Sequence, residues 1–179
     1  MTVFFTSDLH FGHARIIELC QRPFTDVEHM DAELVRRWNS RIGPRDTVWM
    51  LGDIFMCALP RALSIMHSLQ GKKLLIPGNH DGMILKNPEL AAKFYKIYPD
   101  LYATGINGVH VVMCHYPLLS WNRSHRGSWM LHGHSHGQVR AAGHARRLDV
   151  GVDANEWFPV SWSELAATAR SQVDTGSAI

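Results

Sequence analysis

Four consecutive residues near the middle of the chain, Gly78-Asn79-His80-Asp81, are suited to chemistry more than to packing. They follow the apolar run 74–77, which predicts a short buried strand. A glycine at this point allows the backbone to turn sharply, and the three polar side chains that follow offer lone pairs or protons. The sequence therefore predicts a binding or catalytic position where this strand ends.

The same construction, an apolar strand that ends in Asp or His, recurs along the chain. The polar donors at predicted strand ends are Asp8, His10, Asp53, Asn79, His80, His115, His134 and His136. Ligands bind at the carboxyl ends of strands in an open sheet with crossover connections, so these groups are expected to converge on one edge. This set exceeds the needs of one metal ion. It favours a two-metal site with a shared carboxylate, which can hold the attacking and leaving oxygens of a phosphoryl displacement.

Each donor also has a structural alternative. Asp8 could cap the helix after it, His134 and His136 could pair with carboxylates, and a lone His is more often a satisfied core residue than a ligand. His13, three residues after His10, could line the substrate side of the metals or cap the helix that begins there. Five separate segments nevertheless place donors at predicted strand ends, which favours the functional interpretation.

Helix and strand patterns alternate in the first half of the chain and change in the second. Apolar runs predict strands over 3–6, 47–51, 72–76, 101–106, 109–114, 128–131 and 146–152. Capping signals and stop residues predict helices over 14–21, from Thr25 to Gly43, over 60–69 and from Ser161 to about Arg170. Asn107-Gly108 predicts a tight hairpin. By themselves these patterns indicate an α/β or α+β domain.

Length and composition are those of an ordinary globular domain. Of the 179 residues 46% are apolar and 19% charged, and we predict a single domain over 1–173 with a flexible tail over 174–179. The net charge of +2 argues neither for nor against nucleic acid. Three cysteines without framework spacing, no signal-peptide pattern and no apolar run of about 20 residues predict a cytoplasmic protein without a membrane contact.

The order of the motifs resembles that of the calcineurin-like metallophosphoesterases. The motifs stand here as Asp8-Leu9-His10, Gly52-Asp53, Gly78-Asn79-His80-Asp81, His115 and Gly133-His134-Ser135-His136. The match extends over residues 8–136, with no motif missing. The resemblance implies a four-layer α/β/β/α sandwich of two mixed β-sheets, with metals at one end.

The resemblance also implies a ligand set for two divalent metal ions. One ion would bind Asp8, His10, Asp53 and His136, and the other would bind Asp53, Asn79, His115 and His134. Asp53 would bridge the ions, and a hydroxide shared by both would attack the phosphate. Mixed carboxylate, amide and imidazole donors favour manganese, with zinc, iron and cobalt as alternatives.

His80 and Asp81 are the predicted catalytic residues beside the metals. The resemblance implies that His80 stabilises transition-state charge or protonates the leaving oxygen. In the protein Ser/Thr phosphatases of this family a carboxylate three residues after the bridging Asp orients that imidazole, and an Arg follows it. Met56 and Cys57 occupy those positions here, so a phosphoprotein substrate is not favoured and Asp81 becomes the candidate partner of His80.

The predicted substrate contacts are His13, Asn79, Trp121 and Arg123. The segment 121–129, between two motifs, should lie near the metals. Its Trp and Arg side chains could stack a base and bind a phosphate, or the tryptophans could cover the edge of the core. Arg140, Arg146 and Arg147 add positive charge.

The chain is short, with no obvious inserted cap domain, which favours a phosphodiester or a nucleotide as the substrate. A nuclease or another nucleic-acid-processing enzyme is an alternative. A non-catalytic scaffold with the same fold is another, although such a protein would be expected to have lost ligands. The oligomeric state stays open.

Overall fold

Two mixed β-sheets form the centre of the molecule. The computed structural model describes residues 1–139 and 146–176, with side chains as far as residue 171. The described strands are β1 Val3–Thr6, β2 Thr47–Met50, β3 Lys72–Leu75, β4 Lys96–Ile97, β5 Leu101–Ile106, β6 Val109–Cys114, β7 Trp129–His132, β8 Arg147–Asp149 and β9 Val160–Ser161. The described α-helices are α1 Ala14–Leu19, α2 Val27–Arg41, α3 Leu59–Ser68, α4 Gly82–Lys86, α5 Pro88–Ala91 and α6 Trp162–Gly176.

The first sheet has the strand order β4-β3-β2-β1-β9. β1 to β4 are parallel, and β9 is antiparallel to β1. Val3 pairs with Thr47 and Thr47 pairs with Lys72, so the first three strands start level and end level. The residues that follow these strands therefore meet at one edge of the sheet.

The second sheet has the order β5-β6-β7-β8, with β5 antiparallel and the other three strands parallel. Asn107 and Gly108 join β5 to β6 with φ values of 47° and 81°. Positive φ at both positions is the conformation of a type I′ turn, as the Asn-Gly pair predicts. β6 and β7 end towards the same side of the molecule, where Gly133 N donates a hydrogen bond to His115 O at 2.9 Å.

Side chains on the two faces of the first sheet contribute to two separate hydrophobic cores. Phe4 belongs to the core under the helices, whereas Phe5 belongs to the core between the sheets, because successive side chains of a strand point to opposite faces. Trp38 of α2 is fully buried in the first core. Val111 and Leu131 of the second sheet are fully buried in the other. Full burial of a large apolar side chain stabilises the fold by about 2 kcal/mol.

The fold class expected from the resemblance, an α/β domain with two mixed β-sheets, is confirmed. A small cluster of Val112, Cys114 and Met130 lies on the outer face of the second sheet, where Leu118 and Trp121 pack against it. None of the described helices has the length and hydropathy needed to cross a bilayer. The three cysteines are free.

Element boundaries differ from the expectations at several points. The side chain of Asp26, and not that of Thr25, caps α2 by accepting a hydrogen bond from His29 N at 2.7 Å. The predicted capping box at the start of α6 is confirmed, because Glu164 Oε2 accepts from Ser161 N at 2.8 Å.

Four short elements were not predicted, namely α4, α5, β4 and β9, and each spans five residues or fewer. α6 continues to Gly176 and so includes the first residues of the predicted tail, while 177–179 lie outside the described part of the chain.

Candidate metal centre

The ends of β1, β2, β3, β6 and β7 bring most of the predicted donors to one place. The backbone joins the first two of these ends, since Asp8 N donates to Gly52 O at 3.1 Å and His10 N donates to Asp53 O at 3.0 Å. His134 N lies 2.9 Å from Oδ2 of Asp8, which brings the segment after β7 to the end of β1.

The donors form two groups of three. The first group is Asp8, His10 and His136, and the second is Asp53, His115 and His134. Within each group, one possible ligand atom of every residue lies within 4.8 Å of the corresponding atoms of the other two. Asp53 connects the groups, because its Oδ2 is 3.4 Å from Nε2 of His115 and 3.7 Å from Nε2 of His10. This is the arrangement expected of a carboxylate shared by two cations.

Two buried nitrogen atoms show that the site fits cations. Nε2 of His10 and Nε2 of His115 are buried, and neither has a hydrogen-bond partner in the described part of the protein. Leaving a buried polar atom unpaired costs free energy, so such atoms are rare unless they have a functional partner. Nδ1 of His115 lies 2.7 Å from Leu51 O, which directs Nε2 towards Asp53.

The backbone is strained where it presents the donors. Asp8, His10, Asp53, His134 and His136 all have positive φ, between 46° and 66°. A non-glycine residue in this region costs about 1 kcal/mol, and it persists only where the surrounding structure enforces it. Strained residues of this kind cluster at functional sites, which agrees with the placement of these five.

Glycines make room for the donors at two close approaches. A Cβ atom on Gly133 would overlap Ser7 Oγ and Asp8 Oδ2, and one on Gly78 would overlap Asp53. The glycines of the two motifs are therefore required by the packing of the carboxylates.

Burial and charge pairing set the protonation of the site. Burial raises the pKa of Asp8 to about 7, although His115 and His136 oppose this shift. Burial would also raise the pKa of Asp53, but the His115 imidazole, whose Nε2 is 3.4 Å from Oδ2, lowers it to about 2. Burial lowers the pKa of His10 to about 3, which keeps its imidazole in the neutral form that binds metals.

Asp81 does not pair with His80, which corrects the expectation that it would be the catalytic partner of that imidazole. Its carboxylate is buried and accepts three backbone hydrogen bonds, from Asp53 N at 2.9 Å, Ile54 N at 3.0 Å and Gly78 N at 2.8 Å. Asp81 thus joins the segments after β2 and β3 and fixes the backbone of the shared carboxylate.

His80 is near Asp53 but remains open to solvent. Its side chain is 43% exposed, and Nε2 lies 4.0 Å from Asp53 Oδ2. The backbone N of His80 donates to Asp53 Oδ1 at 3.0 Å, which fixes the start of the side chain. Asn79 is exposed and lies between His80 and Gly78, the glycine that contacts Asp53.

His13 faces the site and does not cap its helix through the side chain. It occupies the N-cap position of α1, but its imidazole makes no capping hydrogen bond. Instead Nδ1 of His13 lies 3.3 Å from Nδ1 of His10. Of the two roles that the sequence allowed, the geometry favours the one beside the metals.

Trp121 and Arg123 are not beside the metals, which corrects their expected position. The indole N–H of Trp121 donates to Ser128 O at 3.2 Å, and its ring packs against the outer cluster of the second sheet. Trp129 is buried and stacks on Trp162, with ring centroids 4.6 Å apart. Trp129 is therefore a packing residue, and the half-buried Trp121 packs against the second sheet as well.

Sequence reasoning missed three residues around the donors. The buried guanidinium of Arg22 donates to Asp8 O at 2.7 Å and to Asp153 Oδ2 at 2.7 Å. Tyr116 is exposed, with its ring 4.7 Å from that of His134. Asp153 follows a predicted strand, as the other donors do, and could have been found by that signal. The sequence around Arg22 and Tyr116 carries no comparable signal.

The comparisons with known proteins agree with this geometry. The family model described as calcineurin-like phosphoesterase matches residues 1–157. The gene 66 protein of Mycobacterium phage L5 is 33% identical over 181 residues, covering 84% of this chain and 86% of that protein. An uncharacterized protein of Methanocaldococcus jannaschii is 33% identical over 136 residues, covering 75% of this chain and 69% of that protein.

A solved structure shows the same fold. The crystal structure of a protein of unknown function from Aquifex aeolicus superposes with a TM-score of 0.72 at 23% identity, covering 93% of this chain and 98% of that one. At this identity the likeness shows a shared architecture, and the comparison is used for the fold alone.

Proposed function

Because the chain belongs to the calcineurin-like phosphoesterase family, whose members are hydrolases of phosphate esters, we propose that it hydrolyses a phosphodiester or a nucleotide with two divalent cations. The observation that carries this proposal is the pair of donor groups joined by Asp53. Two buried imidazole nitrogens without partners face the same carboxylate, which supports the use of both groups at once.

The proposed ligands follow the two groups. Asp8, His10, Asp53 and His136 would hold one cation, and Asp53, Asn79, His115 and His134 would hold the other. When bound, the two cations supply positive charge to the phosphate oxygens and lower the pKa of a water molecule towards neutrality. Oxygen and imidazole donors without thiolate suit manganese, with zinc, iron and cobalt as alternatives.

Three residues beside the donors, Asn79, His80 and His13, would contact the substrate. The amide of Asn79 can also donate a hydrogen bond to a phosphate oxygen. The imidazole of His80, open to solvent and anchored to Asp53 through its backbone, can donate a proton to the leaving oxygen or stabilise the charge that develops there. His13, whose Nδ1 lies 3.3 Å from Nδ1 of His10, would contact the ester group.

Two observations favour a diester or a nucleotide over a phosphoprotein. In the protein phosphatases a carboxylate orients the imidazole, and here Met56 occupies its position. Asp81 does not take over this role, because its carboxylate is bound to backbone amides. A scaffold without catalysis is disfavoured, because buried nitrogens without partners would be costly to keep without a cation.

The test is hydrolysis of a generic phosphodiester and of the matching monoester by metal-stripped protein, before and after manganese is added. We expect activity only after the addition, with the diester preferred. The Asp53→Asn variant should lose activity and bound metal together. Asp46→Asn should keep both, because this half-buried carboxylate precedes the start of β2, at the opposite end of the sheet from the site. An Asp53→Asn variant with full activity and metal content would contradict the shared-carboxylate mechanism.

A further inference from the structure

A basic cavity lies at the far end of β6 from the metal centre. Its volume is about 420 Å³, and its lining includes Gly108, His110, Arg123, Arg126, Gly127 and Ser128. None of the described residues that line it is acidic. His110 is the second residue of β6 and His115 follows its end, so about five residues of strand separate the cavity from the donors. At 3.4 Å per residue this corresponds to about 17 Å.

The two arginines of this cavity lie in a segment of the sequence without acidic residues. The segment 101–148, which supplies most of the second sheet, contains five arginines and no Asp or Glu, although the chain has 16 acidic residues. The arginines of α2 and α3, for example Arg36 and Arg61, pair with carboxylates. Within residues 1–139 and 146–176, Arg123 and Arg126 have no carboxylate within ion-pair distance. Their charge is therefore available to an anion.

The turn that carries these arginines is held in place by its own hydrogen bonds. Ser128 Oγ donates to Asn122 O at 2.7 Å, and Arg126 N donates to Arg123 O at 2.8 Å. Trp121 fixes the turn to the second sheet through its bond to Ser128. Because the backbone is already ordered, binding through the two arginines loses less conformational entropy than binding through a mobile loop.

We propose that this cavity binds a backbone phosphate of a single-stranded polynucleotide whose cleaved phosphodiester lies at the metal centre. The inference rests on the proposed phosphodiesterase function and names its substrate class. Guanidinium groups bind phosphate oxygens in a bidentate manner, which suits Arg123 and Arg126. The exposed ring of Tyr116, next to His134, offers a face on which an unpaired base can stack.

The separation of the two sites sets the length of the substrate. At the spacing of about 3.4 Å per nucleotide that one strand has in a duplex, about 17 Å corresponds to about five stacked nucleotides. A mononucleotide can occupy only one of the sites at a time. An oligonucleotide of about five residues or more can occupy both, so the arginines should matter for long substrates and not for short ones.

The experiment measures binding of a fluorescent 12-nucleotide single strand to the full-length protein, together with cleavage of the same strand and of a small phosphodiester. The test variant is Arg123→Ala with Arg126→Ala. The matched control is Arg36→Ala with Arg45→Ala, which removes the same charge from α2 and from the loop before β2. We expect the test variant to bind the strand about tenfold more weakly and to lower the salt slope by about 0.7 for each lost contact.

The binding and cleavage measurements distinguish a polynucleotide site from a small-anion site and from the absence of phosphodiesterase activity. In the test variant KM for the strand should rise, with kcat and cleavage of the small diester unchanged, and trinucleotides should show no difference from the unmodified protein. Equal affinity of the test and control variants for the strand would overturn the inference. So would competition by inorganic phosphate at micromolar concentration, because it would indicate a small-anion site. Absence of diester cleavage by every protein would contradict the proposed function, whereas the binding arm would still decide this inference.

Discussion

Nδ1 of His136 lies 2.7 Å from Oδ2 of Asp153, and that carboxylate also receives two N–H bonds from the buried Arg22. The contact fixes which nitrogen of His136 carries a proton, because Nδ1–H donates to the carboxylate. Nε2 is then the nitrogen available to bind a cation together with Asp8 and His10. The guanidinium of Arg22 also binds the carbonyl oxygens of Asp8 and Leu9. Arg22 and Asp153 thus connect two parts of the metal centre that are far apart in the sequence.

Asp153→Asn should weaken metal binding without removing a proposed ligand. Loss of the carboxylate that orients a metal-binding His typically costs 10- to 100-fold in affinity, about the reduction we expect for one of the two cations. The buried Arg22 would lose its charged partner, so the free energy of unfolding should fall by about 3 kcal/mol. Metal titration by calorimetry and urea unfolding measure the two effects. The exposed Glu89→Gln serves as the control, and unchanged affinity for both cations would refute the positioning role.

Asp8 should make metal-free protein less stable as the pH rises. Its pKa in the folded protein, about 7, is above the ordinary value of 3.8, so its contribution to stability is full below about pH 4 and is lost as the pH rises through 7. Asp8→Asn removes the buried charge. We expect this variant to match the unmodified protein near pH 4 and to exceed it in stability at pH 8. Urea unfolding of metal-stripped proteins at both pH values measures this, and the opposite trend would show that burial does not control Asp8.

Gly133→Ala should disturb the metal centre through packing alone. The added methyl group would overlap Ser7 Oγ and Asp8 Oδ2, and moving them would cost about 1–3 kcal/mol. Gly105→Ala is the matched control, because nothing lies within 4 Å of a Cβ atom at that position. Thermal unfolding and metal content measure the difference. Equal stability and metal content of the two variants would exclude the predicted overlap.

Asp81→Asn should destabilise the protein even though His80 keeps its surroundings. An amide offers one acceptor oxygen where the carboxylate uses two, so at least one buried N–H group loses its partner at a cost of about 1–3 kcal/mol. Asp100→Asn, at an exposed position, should change stability by less than about 0.5 kcal/mol. Urea unfolding compares the two variants. If Asp81→Asn lost activity but kept its stability, the result would support the direct catalytic role that the sequence suggested.

His80→Ala should lower kcat by about 100-fold or more, in the range of general acid catalysis, while the protein keeps its metals. The reason is that His80 is exposed and 4.0 Å from Asp53 and belongs to neither donor group. Steady-state kinetics and metal analysis separate the two quantities, and His125→Ala, another exposed imidazole, is the control. Loss of bound metal from His80→Ala would make it a ligand instead.

The bounds of several strands were predicted correctly from local sequence patterns. The strands at 3–6, 101–106 and 109–114 have the predicted bounds, because β-branched and apolar runs between turn residues leave few alternatives. β4 and β9 were missed since strands of two residues have no period to detect. Thr25 was mistaken for the N-cap because two capping residues stand next to each other, and their local hydrogen bonds decide between them.

The sequence by itself determined the types and the order of the donor residues, because each motif is local and its glycine and polar residues are read from a few positions. Only the tertiary structure decided how these motifs are supported. Asp81 could be read as a partner of His80, its neighbour, but the close approach of β2 and β3 gives its carboxylate backbone amides instead. The pairing of Arg22 with Asp153 joins residues 131 positions apart, and no local pattern specifies it. Contacts of this range exist only once the sheets and helices have packed, because the packing brings distant segments within hydrogen-bonding distance.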